Sequence, residues 1–183
     1  MATEFETATA VTRNDDGTYA GAIAPDWGIN GNANGGYVIA LAARAMADAA
    51  GRPPLTVTAH YLTPGKPGPC TIDVDVVRAG GRTTTVRGLL RSGDVGVAAL
   101  LGAFGDQVER GASVVDGAPP ELPPIDECPA TKPPNVVSGF GDRVDARVRP
   151  ADLGFAVGEH SGRGEIAGWF RFDRVPADLR TLV

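Results

Sequence analysis

Two cysteines and two histidines are all that this 183-residue chain has of each, and their scarcity excludes several classes of protein. Cys70 and Cys128 stand far apart in unlike contexts, so no disulfide framework is expected and a reducing, cytoplasmic setting is the default. With only His60 and His160 beside them, neither an HExxH helix nor a paired CxxC zinc site can be assembled, and no metal is expected. No stretch approaches the roughly 18 uninterrupted apolar residues of a membrane-spanning helix. The opening residues carry Glu4 and Glu6 without an apolar run, which does not make a secretory leader. Positive charge is also short: 17 Lys and Arg against 22 Asp and Glu, with no basic cluster. Nucleic acid is therefore not an expected partner, because phosphate neutralisation needs a basic stripe. What remains is an acidic chain whose hydrophobic fraction of 43% is enough for a packed core.

Turn formers crowd Pro25 to Gly36, after a first strand expected over 17–24. The segment Tyr37 to Ala50 is the clearest helix, rich in Ala, Leu and Met and stopped by Gly51. Its only charges, Arg44 and Asp48, are spaced i,i+4 and are expected to pair. A helix apolar nearly all round is buried on most sides. After Pro53 and Pro54 the period becomes two. Strands are expected over 55–62, 71–78, 82–92 and 95–104, with hairpin turns at Gly80-Gly81 and Gly93-Asp94. Antiparallel strands wrapped around one apolar helix form an α+β unit.

Beyond Asp106 the composition changes. Seven prolines between Pro119 and Pro134 describe an extended linker, since proline neither donates to a ladder nor continues a helix. Two further strands are expected over 142–150 and 165–172, and the chain stops at Val183 in what reads as a helix beginning near Asp178. Two strands and a helix start do not make an independent core, so this piece is expected to pack on the first unit or on a partner chain, unless the chain is incomplete.

Several short segments occur in a telling order: Trp27; Asn34-Gly35-Gly36-Tyr37; His60-Tyr61-Leu62-Thr63-Pro64 with Gly68-Pro69; and Arg78-Ala79-Gly80-Gly81-Arg82-Thr83. With Gly168-Trp169-Phe170-Arg171 and Pro176-Ala177-Asp178, this pattern resembles the double-hotdog, type II acyl-CoA thioesterases over essentially the whole chain. The resemblance implies a hotdog fold over 1–106, a proline-rich linker over 107–141 and the start of a second, incomplete hotdog over 142–183. It implies hydrolysis of acyl-CoA, or of an acyl-carrier thioester, by water without a cofactor. It also implies a homo-oligomer formed through strands. Family members run longer, and their catalytic aspartate lies on a second central helix that would fall just past Val183.

Thioester hydrolysis needs an activated water and donors for the developing oxyanion. The candidate substrate contacts are Asn34, Gly35, Gly36 and Tyr37, where a helix N-terminus presents free N–H groups. The two glycines read equally as a means for the loop to enter a crowded helix. Arg78 and Arg82, flanking a turn, fit either CoA phosphates or a solvated hairpin. Asp26 reads as a turn residue and His60 as a hydrogen-bonded strand residue. His160-Ser161 lacks the context of a nucleophile elbow. Two readings from other classes stand beside the enzyme: a hotdog that binds acyl-CoA or a partner without turnover, and a hydroxyacyl-CoA dehydratase. The absence of histidine from the first helix counts against the dehydratase.

Overall fold

The structure, a computed structural model, describes residues 2–106, 117–118, 120–130, 138–159 and 161–172. Not expected from the sequence is the short helix α1 (Glu4–Ala8). It is set by a reciprocal cap: Thr3 Oγ1 accepts from the Glu6 N–H at 3.1 Å, and Glu6 Oε2 accepts from the Thr3 N–H at 2.8 Å. Strands β1 (Thr12–Arg13) and β2 (Tyr19–Ile23) follow. A loop carrying the two-residue strands β3 (Gly28–Ile29) and β4 (Asn32–Ala33) leads into the central helix α2 (Gly35–Ala50). This helix starts two residues before the expected Tyr37, because Asn34 caps it with Oδ1 accepting from the Tyr37 N–H at 3.2 Å. It stops where Gly51 adopts φ +64° and its N–H returns to the carbonyls of Ala47 and Asp48.

The alternating segments form β5 (Pro54–Tyr61), β6 (Gly68–Ala79), β7 (Thr83–Ser92) and β8 (Val95–Gly105), close to their expected bounds. They join β1 and β2 in one antiparallel sheet of order β1-β2-β6-β7-β8-β5. The strand after the helix thus lies on the far edge, not beside its successor β6. One sheet face packs on α2 through Tyr19, Ile23, Ile72, Val86, Leu90, Val97, Leu100 and Phe104, all buried against Val38, Leu41, Ala42, Ala45 and Met46. Helix and sheet lie close together at Gly88, where a Cβ would lie 2.8 Å from the Met46 sulfur. On the outer face Asp73 pairs with Arg91 at 2.8 Å and Asp75 with Arg87 at 3.2 Å, across β6 and β7. Val76 is 41% exposed, next to an irregularity in the β6–β7 register between Val76 and Arg78.

The later strands are β9 (Val144–Val148) and β10 (Gly168–Phe172), an antiparallel pair. They attach to the first unit, as one of the alternatives required. Phe140 lies 6.4 Å from Trp27 and 6.2 Å from Phe170 between ring centroids, and Arg143 stacks over Trp27 at 5.3 Å. Arg143 also pairs with Glu4 at 2.6 Å. Trp27 is buried, whereas Trp169 is half-exposed and donates its indole N–H to the Pro123 carbonyl at 3.0 Å. The expected helix start at Asp178, Pro176-Ala177, His160 and the linker residues Pro119, Pro133 and Pro134 lie outside the described residues.

The Arg44–Asp48 pair is corrected by the structure. Arg44 Nη1 donates to the Glu6 carbonyl at 2.8 Å, and Asp48 Oδ2 accepts from the Tyr19 hydroxyl at 2.7 Å. Both side chains serve to fasten the N-terminal arm and β2 to the helix. Burial, reinforced by Asp48, pushes the Tyr19 phenol from 10.0 up to about 12. Folding thus favours the protonated phenol. Its contribution is complete below about pH 10 and is lost as pH rises through about 12. Alkaline denaturation followed by circular dichroism should show this loss, and Tyr19→Phe should remove that part of the pH dependence. An unchanged profile in the variant would refute the assignment to Tyr19.

Candidate active site

The approach to α2 is held from several sides. Trp27 stacks on Tyr37 with centroids 5.6 Å apart and 16° between planes, and Phe5 meets Trp27 edge-on at 5.4 Å. The Asn34 N–H donates to the Trp27 carbonyl at 2.9 Å, and the Ala33 N–H to the Gly65 carbonyl at 2.8 Å. The turn between β3 and β4 is made by Asn30 and Gly31, both at positive φ. These contacts fix where the first turn of the helix points.

At that turn, the Tyr37 N–H is taken by Asn34 Oδ1 and the Val38 N–H by the Asn34 carbonyl. Among the described hydrogen bonds none uses the N–H of Gly35 or Gly36, the two orphan donors of the helix start. Gly35 is among the residues lining a groove of about 340 Å³, with Val38, Tyr61, Leu62, Pro64 and Val97. Its walls are apolar, while the helix dipole and two N–H groups make its end electropositive. The Tyr61 ring lies against Gly35 so closely that a Cβ there would stand 2.8 Å from its hydroxyl oxygen. Burial raises the Tyr61 phenol, which keeps it a donor. This arrangement can hold a carbonyl oxygen that is acquiring negative charge. Among the described lining residues there is no Asp, Glu or His, so the groove has donors but no base of its own.

The family model of the acyl-CoA thioesterase N-terminal domain matches residues 23–105. Over this stretch the chain is similar to that family. The matched residues run from the end of β2 to the end of β8 and so include the groove and the whole of α2. A proposed thioesterase II from Thermobifida fusca YX superposes with a TM-score of 0.82 at 23% identity, over 93% of this chain and 64% of that one. A protein of unknown function with the hotdog fold from Alicyclobacillus acidocaldarius gives 0.78 at 20% identity, over 100% of this chain and 67% of that one. A proposed thioesterase from Novosphingobium aromaticivorans DSM 12444 gives 0.77 at 23% identity, over 94% and 69%. These likenesses establish the hotdog fold, and the chain spans 64% of the length of the Thermobifida protein. No curated relative matches.

The candidate residues fall into two places. Gly35 lines the groove, with Asn34 and Gly36 beside it at the helix start. Tyr37 adjoins them in sequence, but its side chain is 2% exposed and points into the core. Its hydroxyl donates toward the carbonyls of Ala8 and Ala22 and accepts from the Ala24 N–H, so it is a packing group and not a surface that substrate meets. Arg78 and Arg82 lie exposed at the β6–β7 hairpin. That hairpin sits at the opposite end of α2, where Arg52 Nη2 donates to the Gly81 carbonyl at 3.1 Å. A ligand engaging both places would have to run the length of a 16-residue helix, about 24 Å.

His60 is exposed on the edge strand β5, and among the described hydrogen bonds none uses its ring; the expected hydrogen-bonded role is not seen. Asp26 stays a turn residue, its carboxylate 3.5 Å from Arg143. Cys70 is buried, which pushes its thiol up to about 11 and leaves it no role as a nucleophile. Tyr61 is a groove residue that the sequence reading named only as part of the strand over 55–62 and of the His60-Tyr61-Leu62-Thr63-Pro64 segment.

Proposed function

We propose that this protein acts in acyl-CoA thioester hydrolysis, with residues 1–106 as one hotdog unit, 107–141 as a connector and 142–183 as the opening of a second unit. The observation that carries this reading is the unused N–H of Gly35, a lining residue of an apolar groove, next to the unused N–H of Gly36 in the same helix turn. The thioester carbonyl oxygen would accept from these two N–H groups, the acyl chain would lie along Val38, Leu62 and Val97, and the Tyr61 phenol would stand at the mouth. Water adds to the carbonyl carbon, the oxyanion is held by the helix start, and collapse expels CoA as its thiol. The base that takes the water's proton is a carboxylate from a second hotdog unit, since the groove itself offers none among the described residues. Association through the free edge of β5 would place a second unit near the groove. A cytoplasmic homo-oligomer acting on acyl-CoA, or on an acyl-carrier thioester, is the corresponding cellular form.

A second reading has one observation in its favour. A groove with donors and no base suits a module that binds acyl-CoA, or a partner subunit, without turnover. Release of free thiol from short, medium and long acyl-CoAs separates the two. Turnover by this chain, rising more steeply than linearly with concentration in the micromolar range, is the expected result. Saturable acyl-CoA binding with no thiol release at any concentration would favour the binding module. Neither binding nor release would overturn both.

A further inference from the structure

On the other side of α2 lies a larger cavity, of about 810 Å³, between the C-terminal turns of the helix, the N-terminal arm and the Pro53-Pro54 turn. Val38, which lines the groove, and Ala40, which lines this cavity, are separated by about 200° around the helix axis, so the two sites do not communicate. Ala40, Ala43 and Ala47 supply a floor of small side chains, and Phe5 and Val11 an apolar wall. Arg13, Arg44 and Arg52 also line it. None of the three is used up by its protein contacts. Arg44 gives one N–H to the Glu6 carbonyl, Arg52 gives one to the Gly81 carbonyl, and among the described hydrogen bonds and ion pairs none uses the Arg13 guanidinium. Arg52 Nη1 is buried without an acceptor, a state that costs free energy until one is supplied.

Opposing charge on the rim limits what can bind. Asp48 also lines the cavity, with its carboxylate engaged by Tyr19, and the negative end of the α2 dipole lies nearby. Three guanidinium groups against one carboxylate and a helix C-terminus leave an excess of positive charge that a carboxylate head would largely neutralise. A volume within the range of about 300–1,000 Å³ typical of small-molecule sites, an apolar floor and a cationic rim describe a receptor for an amphiphilic monoanion. We propose that this cavity binds an aliphatic carboxylate, its head on Arg13, Arg44 and Arg52 and its tail on the alanine floor. The site is distinct from the groove at the start of the helix and does not depend on the reading of that groove.

Isothermal titration calorimetry with sodium decanoate, below its micellar concentration, tests this in the full chain. One carboxylate should bind per chain. Ala47→Leu, which fills the floor without altering charge, should weaken it at least tenfold, and so should Arg13→Glu at an exposed position. Both variants should keep the native circular dichroism spectrum. Gly35→Val, at the other site, should leave the affinity unchanged. Decanol and inorganic phosphate should each bind at least tenfold more weakly than decanoate. The proposal is overturned if decanoate does not bind, if Ala47→Leu binds it as well as the parent, or if Gly35→Val alone abolishes binding, which would put the acid in the groove. Decanol binding equally would remove the role of the arginines, and phosphate binding equally would remove that of the floor.

Discussion

Gly35→Val should lower kcat/KM for thioester hydrolysis by about 100-fold or more, the scale at which the loss of one oxyanion donor is felt. The new Cβ would arrive 2.8 Å from the Tyr61 hydroxyl oxygen and 3.0 Å from Cζ, closing the space in which a carbonyl would sit. Tyr61 is 53% exposed and can swing outward, so the fold should survive and the melting temperature should move by only a few degrees. That separation of activity from stability is the informative part. Thiol release by the variant at the parent's rate would mean that the thioester is not held at the helix start. Tyr61→Phe, which keeps the ring and removes only the hydroxyl, should cost much less, on the order of tenfold, if the phenol assists as a donor.

Leu41→Ala should have the largest effect on stability. Leu41 is fully buried on the sheet-facing side of α2, and its Cδ2 would lie 2.9 Å from a Cβ placed on Gly21. Truncation there leaves a cavity that backbone contacts on both sides prevent from closing, and such changes cost about 2–5 kcal/mol. For a chain of this size each kcal/mol shifts the melting temperature by roughly 2–4 °C, so a fall of about 4–20 °C is expected by calorimetry. Leu101→Ala, at a position 53% exposed on the outer sheet face, should stay within about 0.5 kcal/mol. Equal effects at the two positions would mean that the helix–sheet interface is not the main core.

The contrast between those two leucines also marks what the sequence discloses. Alternation over β5 to β8 and the Ala-rich run of α2 were legible because periodicity records which face is buried. The hairpins at Gly80-Gly81 and Gly93-Asp94 were legible because tight turns need particular residues. Helix α1 could have been read from the spacing of Thr3 and Glu6, a capping signal present in the sequence. The position of β5 on the far edge could not, since alternation is the same whichever neighbour a strand takes. From that one unknown follow the misplacements at the site. Tyr61 meets Gly35, and Arg82 lies far from it, only because of how the strands are ordered. Likewise the i,i+4 spacing of Arg44 and Asp48 allowed a pair, but the N-terminal arm and Tyr19 offered each a better-placed partner.

The same strand order bears on how the chain reaches its native state. β6, β7 and β8 form consecutive hairpins whose contacts close short loops, and they can assemble early. Pairing of β2 with β6 and of β5 with β8 joins residues roughly 40–50 positions apart, which slows folding relative to local topologies. Both outer strands therefore await the central three-stranded meander, and α2, which links them, is trapped between the two late events. Substitutions within β6–β8 should mainly change the folding rate, whereas those in β5 should act mainly on unfolding. The edge strand β5 is thus also one of the last to be committed, and while it is unpaired the edge of β8 stands open to a strand from another chain.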